Sequence, residues 1–269
     1  MIKTNVSEIF SKYGLEVRFA EFEKVKIKET EKNYRTVFLT YIPYFYEPED
    51  GQNLCRYAAL EDYHKYVPQK LSEIKNELEK EYPKNIFDIF ADNSPINEKH
   101  AAEISGLGIR GRNSLIITEK HGSFVFLGEI ITDLEVVCEE NKPSVCSGCG
   151  ACEKACPAGA LNGGRCDVTK CISALTQKKG ELTEAEKASI IKNGMIWGCD
   201  RCQEVCPMNK DLKESEYSKN TVKLKTLTAK DLEGLTDKEF RKKYSDRAFT
   251  WRGISTLKRN IELIENQKS

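Results

Sequence analysis

The 269-residue sequence has no excess of charge of either sign: 42 Lys and Arg stand against 42 Asp and Glu. No global field therefore draws nucleic acid or a membrane surface, and an anionic partner would need a local patch. Long hydrophobic runs are missing too. None approaches the roughly 18–20 residues that span a bilayer, and the mean hydropathy is −0.54. The chain opens MIKTNVSEIF, without the basic and apolar regions of a secretory signal. Together these absences predict a soluble, cytoplasmic protein with no membrane partner, whose thiols stay reduced. There is no low-complexity segment, and no repeat beyond two cysteine runs. Gly106, Gly108 and Gly111 do not form G-x-G-x-x-G in a strand-to-helix unit with an acidic partner about twenty residues on, so a dinucleotide fingerprint is weakly supported.

Cysteine is what the sequence does have, with 11 residues. The run CSGCGACEKACP places Cys146, Cys149, Cys152, Cys156 and Pro157 at the C-x2-C-x2-C-x3-C-P spacing of an iron–sulfur module. In two-cluster ferredoxin folds the first three cysteines of such a run hold one 4Fe-4S cluster and the fourth holds the other. The second run, CDRCQEVCP, supplies Cys199, Cys202, Cys206 and Pro207 but has Ile196 where its first cysteine would stand. Crossed pairing gives one cluster Cys146, Cys149, Cys152 and Cys206. The other takes Cys156, Cys199, Cys202 and one further thiolate, Cys171 or Cys166. Cys171 is favoured because Cys-Ile-Ser-Ala-Leu-Thr reads as a helix start, whereas Cys166 lies in a Gly-Gly-Arg-Cys-Asp loop. Zinc usually takes paired C-x2-4-C knuckles, a different progression. Cys55, Cys138 and Cys166 are left over, and such cysteines are more often small buried hydrophobes than reactive thiols.

Upstream, the pattern predicts a short helix over Val6–Tyr13, a strand near Leu15–Phe22 and a buried strand over Thr36–Tyr46 that ends at Pro43. Leu71, Ile74 and Leu78 recur at helical spacing, which predicts an amphipathic helix from Val67 to Lys80. Just before it, Cys55, Asp62, Tyr63 and His64 collect within ten residues, although a His beside an Asp is ordinarily a solvated or capping pair. A strand over Ile86–Ala91 should lead into the turn Asp92-Asn93-Ser94-Pro95, where Asp is common for local reasons alone, and then into a helix. The glycine-rich loop after it would let backbone approach a flat ligand. Ser114–Thr118 and Ser123–Thr132 read as a β-hairpin, and Asp133–Pro143 as a linker. After Pro207 the sequence reads as polar loop, followed by helical patterns near Ala229–Tyr244 and Ile254–Ile264. From Leu212 onward 14 Lys and Arg face 9 Asp and Glu, a mild basic bias where an anionic partner could dock. The expected fold class is α+β. An α/β cofactor and substrate domain over 1–136 precedes a ferredoxin-like double-cluster module over 137–212 and a short helical tail over 213–269.

Several separated stretches, RYAALEDYHK, ADNSP, GLGIRGRNSLI, GSFVFLGEIITDLE, CSGCGACEKACPAGAL, the CIS at Cys171, GCDRCQEVCPMNK and FRKKYSDRAFTWRGISTLKRN, together resemble the epoxyqueuosine reductase family in order and spacing over most of residues 50–260. The resemblance implies an oxidoreductase with two 4Fe-4S clusters and base-off cobalamin that reduces epoxyqueuosine to queuosine in tRNA, fed by an external donor such as a flavodoxin or ferredoxin. It supports Cys171 as the eighth thiolate. It carries functional roles onto Cys55, Asp62, His64 and Asp92, with Asp92 as proton donor, and corrinoid contacts onto Gly108, Gly111, Arg112, Phe124 and Gly128. Arg112 stands where the family commonly has Lys, a change that matters at a tight site. A proton-donating Asp92 implies a carboxyl buried in apolar surroundings. The chain reads as a short form that stops soon after Leu257–Asn260, without the C-terminal HEAT-like repeats. Two other readings are a double-cluster electron-transfer protein without a corrin and a corrinoid reductase with another substrate.

Overall fold

The Thr36–Pro43 segment is rich in β-branched and aromatic residues on both of its faces, so as a strand it must be covered on both sides. The computed structural model, which describes residues 1–139, 141 and 146–266, places it in the middle of a four-stranded sheet. Strand Thr36–Pro43 pairs on one edge with Arg18–Glu21 and on the other with Val125–Thr132, which in turn pairs with Phe87–Phe90. All three ladders are antiparallel, so the upstream domain is α+β as the whole chain is.

Side-chain alternation assigns the two faces. Phe38 meets Phe10, Phe19 and Phe87 edge-on or tilted, with ring centroids 5.3–6.5 Å apart, and this face is covered by helices Ile2–Lys12 and Tyr63–Glu81. Val37, Leu39, Tyr41 and Ile131 point the other way, against Ala101 and Ala102 of helix Glu98–Ile104.

The Tyr63–Glu81 helix starts four residues earlier than its periodicity predicts. Pro68, inside it, cannot donate to the carbonyl four residues back, that of His64, so the first turn is built around a missing hydrogen bond. The expected Ser114–Thr132 hairpin does not form. Ile116–Ile117 pairs with Ile109–Arg110, and only an isolated Thr118–Gly122 bridge spans the turn. A strand has two edges, and both edges of Val125–Thr132 are taken.

The chain divides into two compact units, and their limits differ from the expected three segments. One holds residues 1–43, 63–111 and 115–147; the other holds 44–62, 112–114 and 148–269. The second unit gathers Tyr44–Asp62 through Arg56, whose guanidinium bonds Asp200 at 3.2 Å and Glu204 at 3.1 Å. It also keeps the C-terminal helix Ile254–Glu265, because the buried Asn260 amide donates to the carbonyls of Thr176 and Ile196, each at 2.8 Å. The stretch after Pro207 is not all loop: a short 3-10 turn covers Pro207–Asn209, and Ser215 caps a helix over Glu216–Asn220. The expected linker Asp133–Pro143 falls partly outside the described residues. Among the described residues no helix is long and apolar enough to cross a membrane.

Candidate active site and cluster segment

Asp92 follows the strand Phe87–Phe90 at the point where the chain reverses. Asp92 and Asn93 have φ of +67° and +55°, a region that Asp and Asn enter more easily than most residues because their short side chains bond locally. Here the Asp92 carboxylate accepts the Asn93 backbone N–H at 3.0 Å. Its other oxygen lies 3.5 Å from His64 Nε2, on the first turn of the Tyr63–Glu81 helix. The two side chains are 55% and 44% exposed, so the expected burial of the Asp92 carboxyl is not found. A pair this open contributes little to stability. Beside them Tyr63 stacks between His64, at 4.0 Å, and Phe126, at 4.5 Å and nearly parallel. Spacing had not marked Phe126; the alternation of its strand was the available signal.

The residues expected to touch a corrinoid have internal roles. A side chain at Gly128 would meet Val67 Cγ1 at 2.7 Å and Leu71 Cδ1 at 3.2 Å, so the missing Cβ lets the long helix seat on the sheet. A side chain at Gly108 would meet Ile116 Cγ2 at 2.7 Å and the Ile117 carbonyl at 2.8 Å. Gly111 donates its N–H to Leu115 O at 2.8 Å, and Phe124 is buried. In the second unit Arg112 forms a two-pronged pair with Glu153, at 3.0 and 2.8 Å.

Cys55 and Asp62 belong to the second unit. Cys55 is fully buried, its N–H donates to Trp197 O at 3.0 Å, and its sulfur lies where a side chain on Gly198 would be. Burial pushes the Cys55 thiol well up, and Asp200 and Cys199 act in the same direction. A thiol held neutral this way is a poor nucleophile. Half-buried Asp62 is fixed through its backbone, whose N–H donates to Asp246 O at 2.7 Å. Arg56, next to Cys55, was missed by sequence reasoning. It is 4% exposed, and its backbone N–H and guanidinium both bond Asp200, at 2.8 and 3.2 Å. That places the base of the Cys55 turn against the residue between Cys199 and Cys202.

The cysteine runs are wound into short turns. Gly148 and Gly150, at φ of +66° and +72°, reverse the chain between Cys146, Cys149 and Cys152. Cys152 lies on helix Ala151–Ala155, Cys171 is the N-cap of Ile172–Leu175, and Cys202 lies on Arg201–Glu204. Cys166 is in a two-residue strand instead. Burial pushes the Cys199 thiol up to about 12, with Asp200, Cys171 and Cys156 adding to it. Cys202 is raised by burial, then by Cys199, Asp200, Cys171 and Cys152. Cys206 in turn acts on Cys152. Thiols that repel one another's ionisation are neighbours: Cys199 has Cys171 and Cys156 beside it, and Cys152 has Cys206 and Cys202. None of the cysteines is in a disulfide. This all-thiol donor set, in which each thiolate would take a different iron, fits iron–sulfur clusters.

Comparison with known proteins agrees. Residues 25–93 match the family described as epoxyqueuosine reductase QueG, DUF1730, and residues 145–209 match the 4Fe-4S double cluster binding domain. The epoxyqueuosine reductase of Bacillus cereus is 34% identical over 213 residues, covering 78% of this chain and 55% of that protein. The Cellulophaga algicola enzyme is 33% identical over 238 residues, covering 87% of this chain and 77% of its own. A crystal structure of epoxyqueuosine reductase with a tRNA-Tyr epoxyqueuosine-modified stem loop superposes with a TM-score of 0.80 at 25% identity, covering 98% of this chain and 80% of that one. The chain spans little more than half the length of the first of these relatives. The superposition bears out the α+β fold with its double-cluster segment. With the Cellulophaga enzyme matched over most of its length, the chain belongs to the epoxyqueuosine reductase family.

Proposed function

We propose that this chain is an oxidoreductase that reduces epoxyqueuosine to queuosine in tRNA, using two 4Fe-4S clusters and cobalamin. The observation that carries the reading is the pairing of Asp92 with His64 in a chain whose second unit brings cluster cysteines together. Converting an epoxide to an alkene and water takes two electrons and two protons. When bound, cobalamin supplies a strongly reducing, nucleophilic metal centre. A polar pair beside the Tyr63–Phe126 stack suits a flat macrocycle approached by a proton donor.

Within this reading Asp92 protonates the departing oxygen and His64 orients the carboxyl. Cys146, Cys149, Cys152 and Cys206 hold one cluster; Cys156, Cys171, Cys199 and Cys202 hold the other. Cys55 and Asp62 hold the turn around Arg56 in place rather than react. Gly108, Gly111 and Phe124 shape the surroundings of the cofactor, while Gly128 seats the long helix on the sheet. A flavodoxin or ferredoxin delivers the electrons, and the reaction takes place in the cytoplasm.

The test is anaerobic turnover of epoxyqueuosine-containing tRNA by the reconstituted chain. The wild-type protein should retain a corrinoid spectrum and form queuosine. Asp92→Asn should keep iron and corrinoid content yet lose turnover by about 10²-fold or more, as expected for loss of a positioned acid. Normal turnover by Asp92→Asn would overturn its role, and failure to retain any corrinoid would point to an electron carrier instead.

A further inference from the structure

One acidic residue is buried with no donor in reach. Glu129 lies in the Val125–Thr132 strand, directly between Leu39 and Phe90 of the neighbouring strands, and is 0% exposed. Neither of its carboxylate oxygens has a hydrogen-bond donor. An ionised carboxylate left this way is costly, and such groups are normally paired or neutralised.

Its surroundings show what neutralises it. By strand alternation Glu129 shares a face with Leu39 and Ile131, the face covered by helix Glu98–Ile104, whose first residue is Glu98. Phe90, opposite Glu129, is two residues before Asp92, and the Asp92 turn leads back to Glu98. The titratable groups acting on Glu129 are Glu98 from the helix and Asp92 from the turn, and all three are acids. Lys99 acts on Glu98, while the flanking strand residues Leu39 and Phe90 carry no charge. Among the described residues no such group converges on a metal ion. Two carboxylates facing each other repel, whereas one proton between them makes a hydrogen bond and satisfies the buried oxygen.

We propose that Glu129 and Glu98 share one proton and pass it to Asp92, which makes the pair the internal store for the second proton of the reduction. The role in turnover rests on the function proposed above; the shared proton does not. Burial and the facing acids both raise the proton affinity of Glu129, and burial raises that of Glu98. In the reaction, Asp92 gives its proton to the epoxide oxygen as the carbon–oxygen bond breaks. The shared proton then moves from the pair through Glu98 to the Asp92 carboxylate, and the second transfer from Asp92 releases the oxygen as water. The two electrons come from the external low-potential donor. The pair regains its proton from solvent through Asp92, whose side chain is 55% exposed before substrate covers it.

The experiment compares the wild-type holoprotein with Glu129→Gln, Glu98→Gln and Asp92→Asn. Infrared difference spectra at neutral pH should show a protonated-carboxyl band that disappears in both glutamine variants. A group that binds its proton more tightly when folded makes stability fall as pH rises above its unfolded value. The wild-type melting temperature should therefore drop as pH rises above the ordinary glutamate range, and Glu129→Gln should flatten that slope while folding normally, because its amide can donate to Glu98. Single-turnover reduction should slow by about 10-fold in Glu129→Gln, less than the loss of a positioned acid. No such band, an unchanged pH slope, or a band lost with turnover unaltered would each overturn the proposal. A wild-type chain that keeps the band and slope but does not reduce the tRNA would place the error in the proposed reaction, not in the shared proton.

Discussion

The two units are stabilised by different means. In the first, a sheet with both faces covered buries Val37, Phe38, Leu39, Ile130 and Ile131 completely, and each such side chain contributes about 1.5–3 kcal/mol relative to exposure. In the second, helices such as Ile172–Leu175 and Arg201–Glu204 are four residues long, far below what sustains a helix alone. Order there comes from polar pins: Arg56 to Asp200, Asn260 to Thr176 and Ile196, and capping boxes at Thr183, Thr228 and Thr236. An apolar core tolerates small changes of shape; a pin holds or fails with one side chain.

The contrast can be broken most sharply at the clusters. Cys171→Ser should lower iron from about eight to about four per chain, while Cys166→Ser should leave it near eight; iron and sulfide analysis of anaerobic protein decides between them. Next in size is Arg56→Met, expected to cost about 3–5 kcal/mol because it strands Asp200 inside the protein. Adding Asp200→Leu should restore much of that stability in denaturant unfolding, as no pin is then left half-made. Asn260→Ala removes both amide donors and leaves two carbonyls unpaired, a loss of about 2–4 kcal/mol by the same measurement. Gly128→Ala sharpens the comparison from the other side. It should cost about 1–3 kcal/mol by overpacking against Val67 and Leu71, with corrinoid content per folded chain unchanged. The smallest effect is Thr183→Ala, about 1 kcal/mol for the lost cap, seen as faster amide exchange in helix Glu184–Asn193.

The same contrast explains what could be read in advance. Thr36–Pro43 was legible because β-branched and aromatic residues fill it, and the long helix because Leu71, Ile74 and Leu78 recur on one face. The cysteine spacing carried the cluster segment, since ligand chemistry is written locally. Arg56 and Asp200 are 144 residues apart, and no local pattern joins them. Glu129 was not legible for a different reason: an acid in an alternating strand ordinarily reads as solvent-facing, yet a helix covers that face. The hairpin failed because local alternation cannot tell a strand that its edges are already occupied. At the candidate site, the residue types of Asp92 and His64 were readable, but their exposure depended on the left-handed turn.

The double grip of Asn260 has a further implication. By tying Thr176 to Ile196 it closes the neck of the excursion between them, and Gly198 N–H adds a bond to Thr176 Oγ1 at 2.9 Å. Whatever lies beyond a closed neck can lengthen, shrink or be exchanged at little cost in loop entropy, while Cys171 and Cys199 on either side keep their spacing. The excursion is itself packed, with Leu182 and Ile190 buried against Leu263 and Ile264, so a reporter or an affinity handle belongs at its exposed turn around Lys179 and Glu181.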